Sequence, residues 1–290
     1  MEFIETLING LSIGSTYAMI ALGYTMVYGI AKMLNFAHGD VIMVGGYMIY
    51  VGLVATKNPL IAFAIAIVSC IILGITIEKV AYRPLRGASP LAVLITAIGV
   101  SYLLQSSAQM IFGSAPKMVT IADLGSISFA GLTIPVYIIV TLNCSFVIMT
   151  ALSLFVKYTK TGRAMIAVSE DKGAAQLMGI NVNRIIMITF AIGSGLAAFA
   201  GLFMLMKSPS LSNTLGAMPG IKAFTAAVIG GIGSIPGAML GGILMGVVEA
   251  ISLKIPPIAP YTDAIEFIIL IIILLVKPTG ILGKKRREKV

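Results

Sequence analysis

Long apolar runs dominate this chain and leave it only one kind of solvent. They fall at 7–31, 36–56, 60–82, 90–112, 135–156, 185–206, 237–253 and 264–276, with a shorter ninth at 220–232. About 20 residues at 1.5 Å rise each cross a hydrocarbon core of about 30 Å. The last two of the eight are short for that task, and the ninth, at roughly 18 Å of helix, is shorter still. Of the 290 residues, 58% are hydrophobic and 11% charged, against about 25% charged in soluble domains. Mean hydropathy is +1.04. A water-soluble core could not hide that much apolar surface, so the solvent is lipid. Backbone groups in lipid must be satisfied within their own segment, as helices allow. The expectation is an all-α polytopic membrane protein of about eight to nine segments, a single transmembrane domain over 1–290.

Charge then sets direction. A net charge of +9 marks cytoplasmic loops in such a chain. The basic residues show no aromatic interleaving and no nucleic-acid motif. If the short 220–232 run crosses, alternation puts the N-terminus outside and the C-terminus inside. The basic residues then inside are Lys32; Lys79, Arg83 and Arg86; Lys157, Lys160, Arg163, Lys172 and Arg184; and Lys277, Lys284, Lys285, Arg286, Arg287 and Lys289. Only Lys57, Lys117, Lys207, Lys222 and Lys254 fall outside, with Glu2, Glu5, Asp123 and Asp263. The prediction is N-out/C-in with a basic cytoplasmic tail, 277–290. The opening MEFIETLING has neither the positive start nor the cleavage site of a signal peptide and reads as the start of the first span.

Glycines punctuate the runs in two ways. Small residues four apart, at Gly10/Gly14, Ala197/Gly201, Gly237/Gly241 and Gly242/Gly246, let helix backbones approach closely. Gly230, Gly231, Gly233 and Gly237, with Pro236, form a denser run that breaks helix. Two readings stand: a broken helix at membrane depth, of the kind transporters place beside substrate paths, or a tight turn at the inner surface.

Chemistry is sparse. No G-x-x-x-x-G-K followed by Ser or Thr is present, so nothing here cradles ATP phosphates. His38 is the only histidine, too little for a zinc site. Cys70 and Cys144 lie apart in apolar runs and read as small hydrophobes. No base stands near a nucleophile, so the chain is not expected to be an enzyme. The one polar cluster inside the apolar runs is Asn35-Phe36-Ala37-His38-Gly39-Asp40. It either caps the second span, with Asn35 as N-cap and Asp40 near the positive helix end, or lines a path. Glu249 and Glu266 read as carboxylates at the outer boundary.

The segment 157–184, KYTKTGRAMIAVSEDKGAAQLMGINVNR, interrupts two spans on the positive side. Its middle reads as a short helix from Glu170 to Met178, stopped by Gly179 as a left-handed cap. Glu170 and Asp171 favour its N-terminus, Ala174 and Ala175 keep it slim, and Ile180 offers an apolar knob. A defined helix held outside the bilayer is expected to touch a partner.

Several stretches resemble one family, the permease subunits of bacterial branched-chain amino acid ABC importers. They are GLSIGSTYAMIALGYTMVYGI at 10–30, LNFAHGDVIMVGGY at 34–47, residues 173–202, GIKAFTAAVIGGIGSIPGAMLGG at 220–242, and PTGILG at 278–283. The resemblance implies an ABC importer permease fold in the bacterial inner membrane. It also implies a second permease subunit, hetero- or homodimeric, two cytoplasmic ATPase subunits that bind ATP, and an extracytoplasmic substrate-binding protein. No cofactor is implied for this chain. The coupling loop of such permeases would match Glu170, Asp171, Ala174, Ala175, Gly179 and Ile180. Tyr17, Asn35, His38, Asp40 and Gln105 are the candidates for the translocation path. Two alternatives stay open: a permease of the same family for urea or amides, and a self-sufficient secondary carrier.

Overall fold

The computed structural model describes residues 2–121, 125–129 and 132–283. Asp123 of the outward set, and Lys284, Lys285, Arg286, Arg287 and Lys289 of the basic tail, lie outside the described residues. Among the described residues eleven α-helices follow in order: α1 (Glu2–Ala31), α2 (His38–Thr56), α3 (Pro59–Ile77), α4 (Pro90–Phe112), α5 (Val136–Tyr158), α6 (Lys160–Glu170), α7 (Lys172–Leu177), α8 (Val182–Lys207), α9 (Ala217–Gly230), α10 (Ile235–Lys254) and α11 (Thr262–Val276). A π turn and a 3-10 turn extend α3 to Leu85. Eight of the described helical stretches are long and apolar enough to cross a membrane, and α9 is the shorter apolar helix. The protein is a multi-pass helical membrane protein, with the spans close to where hydropathy places them.

Local chemistry sets the helix ends. Asn58 caps α3 through bonds to the Leu60 and Ile61 amides, with Pro59 in its first turn. Ser89 caps α4 in the same way, again ahead of a proline. Such caps satisfy amides that have no partner within the helix.

Helix α1 is apolar on every face and is the hub. From Ile13 to Val27 all of its residues except Thr16 are buried. Its closest partner is α10, and the contact runs backbone to backbone. Gly10, Gly14 and Ala18 face Gly242, Gly246 and Ala250. A Cβ on Gly14 would stand 2.7 Å from the Ile243 Cα, and one on Gly10 2.9 Å from the Val247 Cα. The same device joins α8 to α2, where a Cβ on Gly201 would stand 2.9 Å from the Ile42 oxygen. With little hydrophobic drive between helices in lipid, this close packing holds them together.

The glycine run closes a tight turn between α9 and α10 rather than interrupting a span. Gly231 and Gly233 take positive φ, 105° and 96°. The backbones of Gly230 and Gly237 touch, and the Ser234 hydroxyl accepts from the Gly237 amide at 3.2 Å. The carbonyls left at the end of α9 are then filled from the chain's last described segment. Ile281 and Leu282 donate their amides to the Ile229 and Gly230 oxygens at 2.8 and 2.9 Å. PTGILG is therefore a cap for α9, and Gly280 (φ 77°) permits it because a Cβ there would collide with Gly231.

Non-helical backbone enters the bundle elsewhere, on the other side of α9. After α8, residues 208–216 run down beside α2. Leu211 and Leu215 reach Gly46, and Gly216 meets Gly39 backbone to backbone. The link 32–37 re-enters likewise, since His38 packs on Gly23, eight residues before α1 ends. That is about 12 Å of helix. So α2 and α9 both start inside the bundle, and α9 is a half-helix that continues an irregular segment. At the end of the bundle opposite α7, β1 (Lys117–Met118) pairs antiparallel with β4 (Ser210–Leu211), and β2 (Ser126–Phe129) pairs with β3 (Leu132–Pro135).

Gly14→Leu is expected to destabilise the folded chain by about 3 kcal/mol through overpacking. Gly99→Leu, with nothing within 4 Å of its Cβ position, should leave it unchanged. Denaturation midpoints in one detergent compare the two, and equal midpoints would remove the tight seam.

Candidate functional site

Three groups of side chains stand out, at one end, near the middle, and at the four-helix meeting of α1, α9, α10 and α11. The first is the α6–α7 pair. Glu170 closes α6 and does not open the next helix, as the sequence suggests it should. The chain turns extended at Asp171, whose carboxylate accepts from the Gly173 and Ala174 amides at 2.8 and 3.0 Å. Such a cap stabilises a helix start by about 1 kcal/mol. At the other end Ile180 donates to the Ala175 oxygen and Gly179 to the Gln176 oxygen, both at 3.0 Å. With Gly179 at φ 81°, this is a Schellman cap. A six-residue helix would not hold alone; both ends of this one are tied.

Its faces are divided. Ala175 is buried, and Ile180 packs half-buried against the core. Ile180 is thus not the outward knob; Leu177 and Met178 are, at 91% and 83% exposure. Ala174 is exposed. The Lys172 ammonium donates to the Ala31 oxygen at 2.7 Å and so pins α7 to the end of α1. Burial, and then the neighbouring Arg86, push the Lys172 pKa down.

The second group surrounds the start of α2. Asn35 does not cap this helix: the N-cap position is Ala37, with no side-chain bond. Asn35 instead accepts from the Tyr82 hydroxyl at 2.9 Å, and its backbone oxygen takes the His38 amide at 3.1 Å. Asp40, 2% exposed, accepts from the Gln105 amide at 2.9 Å, and Gln105 also reaches Ser101 at 3.3 Å. Among the described residues Asp40 has no ion-pair partner. It lies in the first turn of α2, the positive helix end,. His38 meets Tyr24 edge-on with ring centroids 4.8 Å apart, and Tyr24 meets Phe224 of α9 at 5.7 Å. The structure thus brings Asp40 and Gln105 together, with Asn35 and His38 close by in the chain.

Tyr17 belongs to the third group. Its hydroxyl donates to Glu249 at 2.5 Å. Lys222 of the half-helix stands 3.3 Å from Glu249, 2.7 Å from Asp263 and 3.3 Å from Glu266. Glu249 and Glu266 are therefore not boundary carboxylates facing outward. They turn inward onto one ammonium, and Glu266 is wholly buried. The sequence signal that could have found this group is Lys222 itself, an ionisable residue inside a short apolar helix.

The described residues thus form a helical bundle with re-entrant backbone at its middle and a short helix, capped at both ends, at one end. The family model described as branched-chain amino acid transport system / permease component matches residues 6–274. The chain is 44% identical to the high-affinity branched-chain amino acid transport system permease protein BraD of Pseudomonas aeruginosa, covering 100% of this chain and 98% of that one. It is 43% identical to the corresponding protein LivH of Escherichia coli, with the same coverage. A solved structure described as an inward-facing ABC transporter of metal-chelate type shares the fold at TM-score 0.50 and 15% identity, over 93% of this chain and 87% of that one. The chain belongs to the branched-chain amino acid transport permease family.

Lys222→Met would remove the ammonium that the three carboxylates share, and is expected to cost about 3–5 kcal/mol. Adding Glu249→Gln and Glu266→Gln should recover much of that loss. Chemical denaturation of the three variants measures it, and no loss in Lys222→Met would show the cluster to be energetically idle.

Proposed function

We propose that this chain is the membrane permease subunit of an ATP-driven importer of leucine, isoleucine, valine or related amino acids. The observation that carries the reading is the full-length match to the branched-chain amino acid permeases, joined to a projecting helix capped at both ends with an apolar tip. The chain sits in the bacterial inner membrane with α7 in the cytoplasm, N-out and C-in. A second permease subunit completes the pore. Two ATPase subunits bind the ATP and receive α7, with Leu177 and Met178 entering an apolar groove. Two apolar side chains at the tip of a polar segment are the pattern of a contact surface. An extracytoplasmic binding protein delivers the solute at the other end, beside β1–β4. The chain carries no catalytic residues and no cofactor of its own.

The solute route in this reading passes the junction of α2 and α9. Two helices begin there beside non-helical backbone, an arrangement suited to a carboxylate near the positive helix ends. Tyr24, Asn35, Asp40 and Gln105 supply a few polar groups in an apolar wall, as a zwitterion with an aliphatic side chain requires. Closure of the ATPases would rock the bundle between outward and inward access.

The Lys222 cluster favours one rival, a self-sufficient carrier coupled to protons, since ionisable groups inside a membrane are what such a carrier uses. Uptake in cells that lack the ATPase partners separates the two. It should vanish for the importer, and uptake that persists would reject the ATP-driven reading.

Leu177→Asp with Met178→Asp should abolish uptake while membrane insertion stays normal. Gly179→Pro should do the same, because proline removes the amide bonded to Gln176 and cannot adopt φ 81°. Uptake assays beside a membrane-fraction blot check both, and normal uptake in both would remove α7 as the contact.

A further inference from the structure

Helix α4 packs mainly on α2 and on the π turn after α3, and much of its surface is left open. Ile95, Gly99, Tyr102, Ser106 and Gln109 are exposed, and they recur at steps of four, three, four and three residues. That 3.5-residue period puts them on one face, in the spacing of a seam between two helices. Leu103 and Met110, both exposed, flank the face on one side. Gln105 flanks it on the other, where it reaches Asp40 at 2.9 Å.

Lipid is a poor cover for that face. Tyr102 lies at the middle of the 23 residues of α4, about 18 Å along the helix from Pro90. Its hydroxyl therefore stands at hydrocarbon depth, not in an aromatic belt at the membrane surface. Among the described residues nothing bonds to the Tyr102 or Ser106 hydroxyl, and a hydroxyl without a partner in hydrocarbon is costly. Gly99 weakens the helix it sits in, yet nothing lies within 4 Å of its Cβ position. The glycines of α1 are filled by α10; the space over Gly99 is open. Other outward faces differ. From Ile268 onward the exposed side chains of α11 are all aliphatic, and Asn143 of α5 is satisfied by its own helix, at the Ile139 oxygen, 2.8 Å away.

We propose that this face of α4 is the contact with the second permease subunit, laid against one of that subunit's membrane helices. The proposal rests on the importer reading and adds to it the surface on which the two halves meet. A partner helix with small, hydroxyl or amide side chains along its own seam closes over Gly99 and bonds to Tyr102 and Ser106, as small and polar residues do between helices in lipid. Because the face runs beside Asp40 and Gln105, the solute route then lies along the boundary of the two subunits, with one wall from each.

The test uses the full-length chain in its assembled transporter, in membranes. A photo-reactive benzophenone side chain replaces Ile95, Tyr102 or Ser106 in turn, and Ile271 of α11 as the lipid-facing control. After irradiation the adducts are identified by mass spectrometry. The three α4 positions should join to a second permease subunit, whether a second copy of this chain or a different permease chain, and position 271 to lipid alone. Gly99→Leu supplies a second readout: the second permease subunit should be lost on affinity purification while the denaturation midpoint of the separate chain stays unchanged. Adducts from α4 to lipid alone, or to the ATPase or the binding protein, in a transporter that does contain a second permease subunit would overturn this proposal and leave the importer reading standing. A transporter that purifies without a second permease subunit and takes up solute without the ATPases would overturn both.

Discussion

Backbone contact between α1 and α10 is the constraint on which the rest of the bundle depends. Lipid gives two apolar helices little reason to separate or join, so attraction must come from dispersion at short range. Gly10, Gly14, Gly242 and Gly246 provide that range by having no side chains. Once α1 and α10 meet so closely, the stretch of α1 from Ile13 to Val27 has almost no exposed side left, and α8, α9 and α5 pack around it. The burial of α1 is thus a consequence of glycines placed on both partners. A helix hydrophobic all round would be ambiguous by itself between centre and periphery.

The seam also makes room for irregular backbone. A half-helix such as α9 exposes amides at its start and carbonyls at its end, which lipid cannot satisfy. The carbonyl end is closed by Ile281 and Leu282 from the far end of the described chain. At the start, Gly216 and Gly220 lie against Gly39 of α2, so the open end is buried in protein. The broken segment is tolerated because neighbouring backbone fills its places.

Span positions were legible because length and hydropathy are local properties. The four-residue glycine spacing also read correctly as packing, since small residues on one helix face have few other uses. The two caps of α7 were half legible. Gly179 announced the end, but the helix starts at Lys172, two residues later than expected, because Glu170 and Asp171 are both acidic and only Asp171 turns extended to cap. Ile180 read as a knob because its spacing cannot show which side faces the bundle. The charged cluster was missed for a similar reason. Lys222, Glu249 and Glu266 lie far apart in sequence, and charge counting sorts residues by side of the membrane, not by mutual distance. Gly230–Gly237 and 208–216 show the same limit. Glycine density marks where helix must stop, but the deeper interruption holds Ser208, Pro209 and Asn213, an ordinary loop composition.

The contacts that fix α7 also decide how a force on it would travel. Lys172 ties α7 to the last carbonyl turn of α1, and Ala175 and Ile180 seat it against the core. In the importer reading, a push on Leu177 and Met178 therefore reaches α1 through Lys172, beside α6 and α8, which flank α7 in the chain. The glycine seam with α10 has no slack: a movement of α1 along its axis would drive Val247 and Ile243 into backbone. So α1 and α10 must move as one body, and α9 follows through its turn at Gly231–Gly233. Lys222 then carries the displacement to α11 through Asp263 and Glu266, across a contact made of charge rather than interlocked side chains. Tight apolar packing resists sliding, whereas a charge cluster can exchange partners over a few ångströms. In the importer reading, the α9–α11 boundary is thus where such a displacement would be taken up.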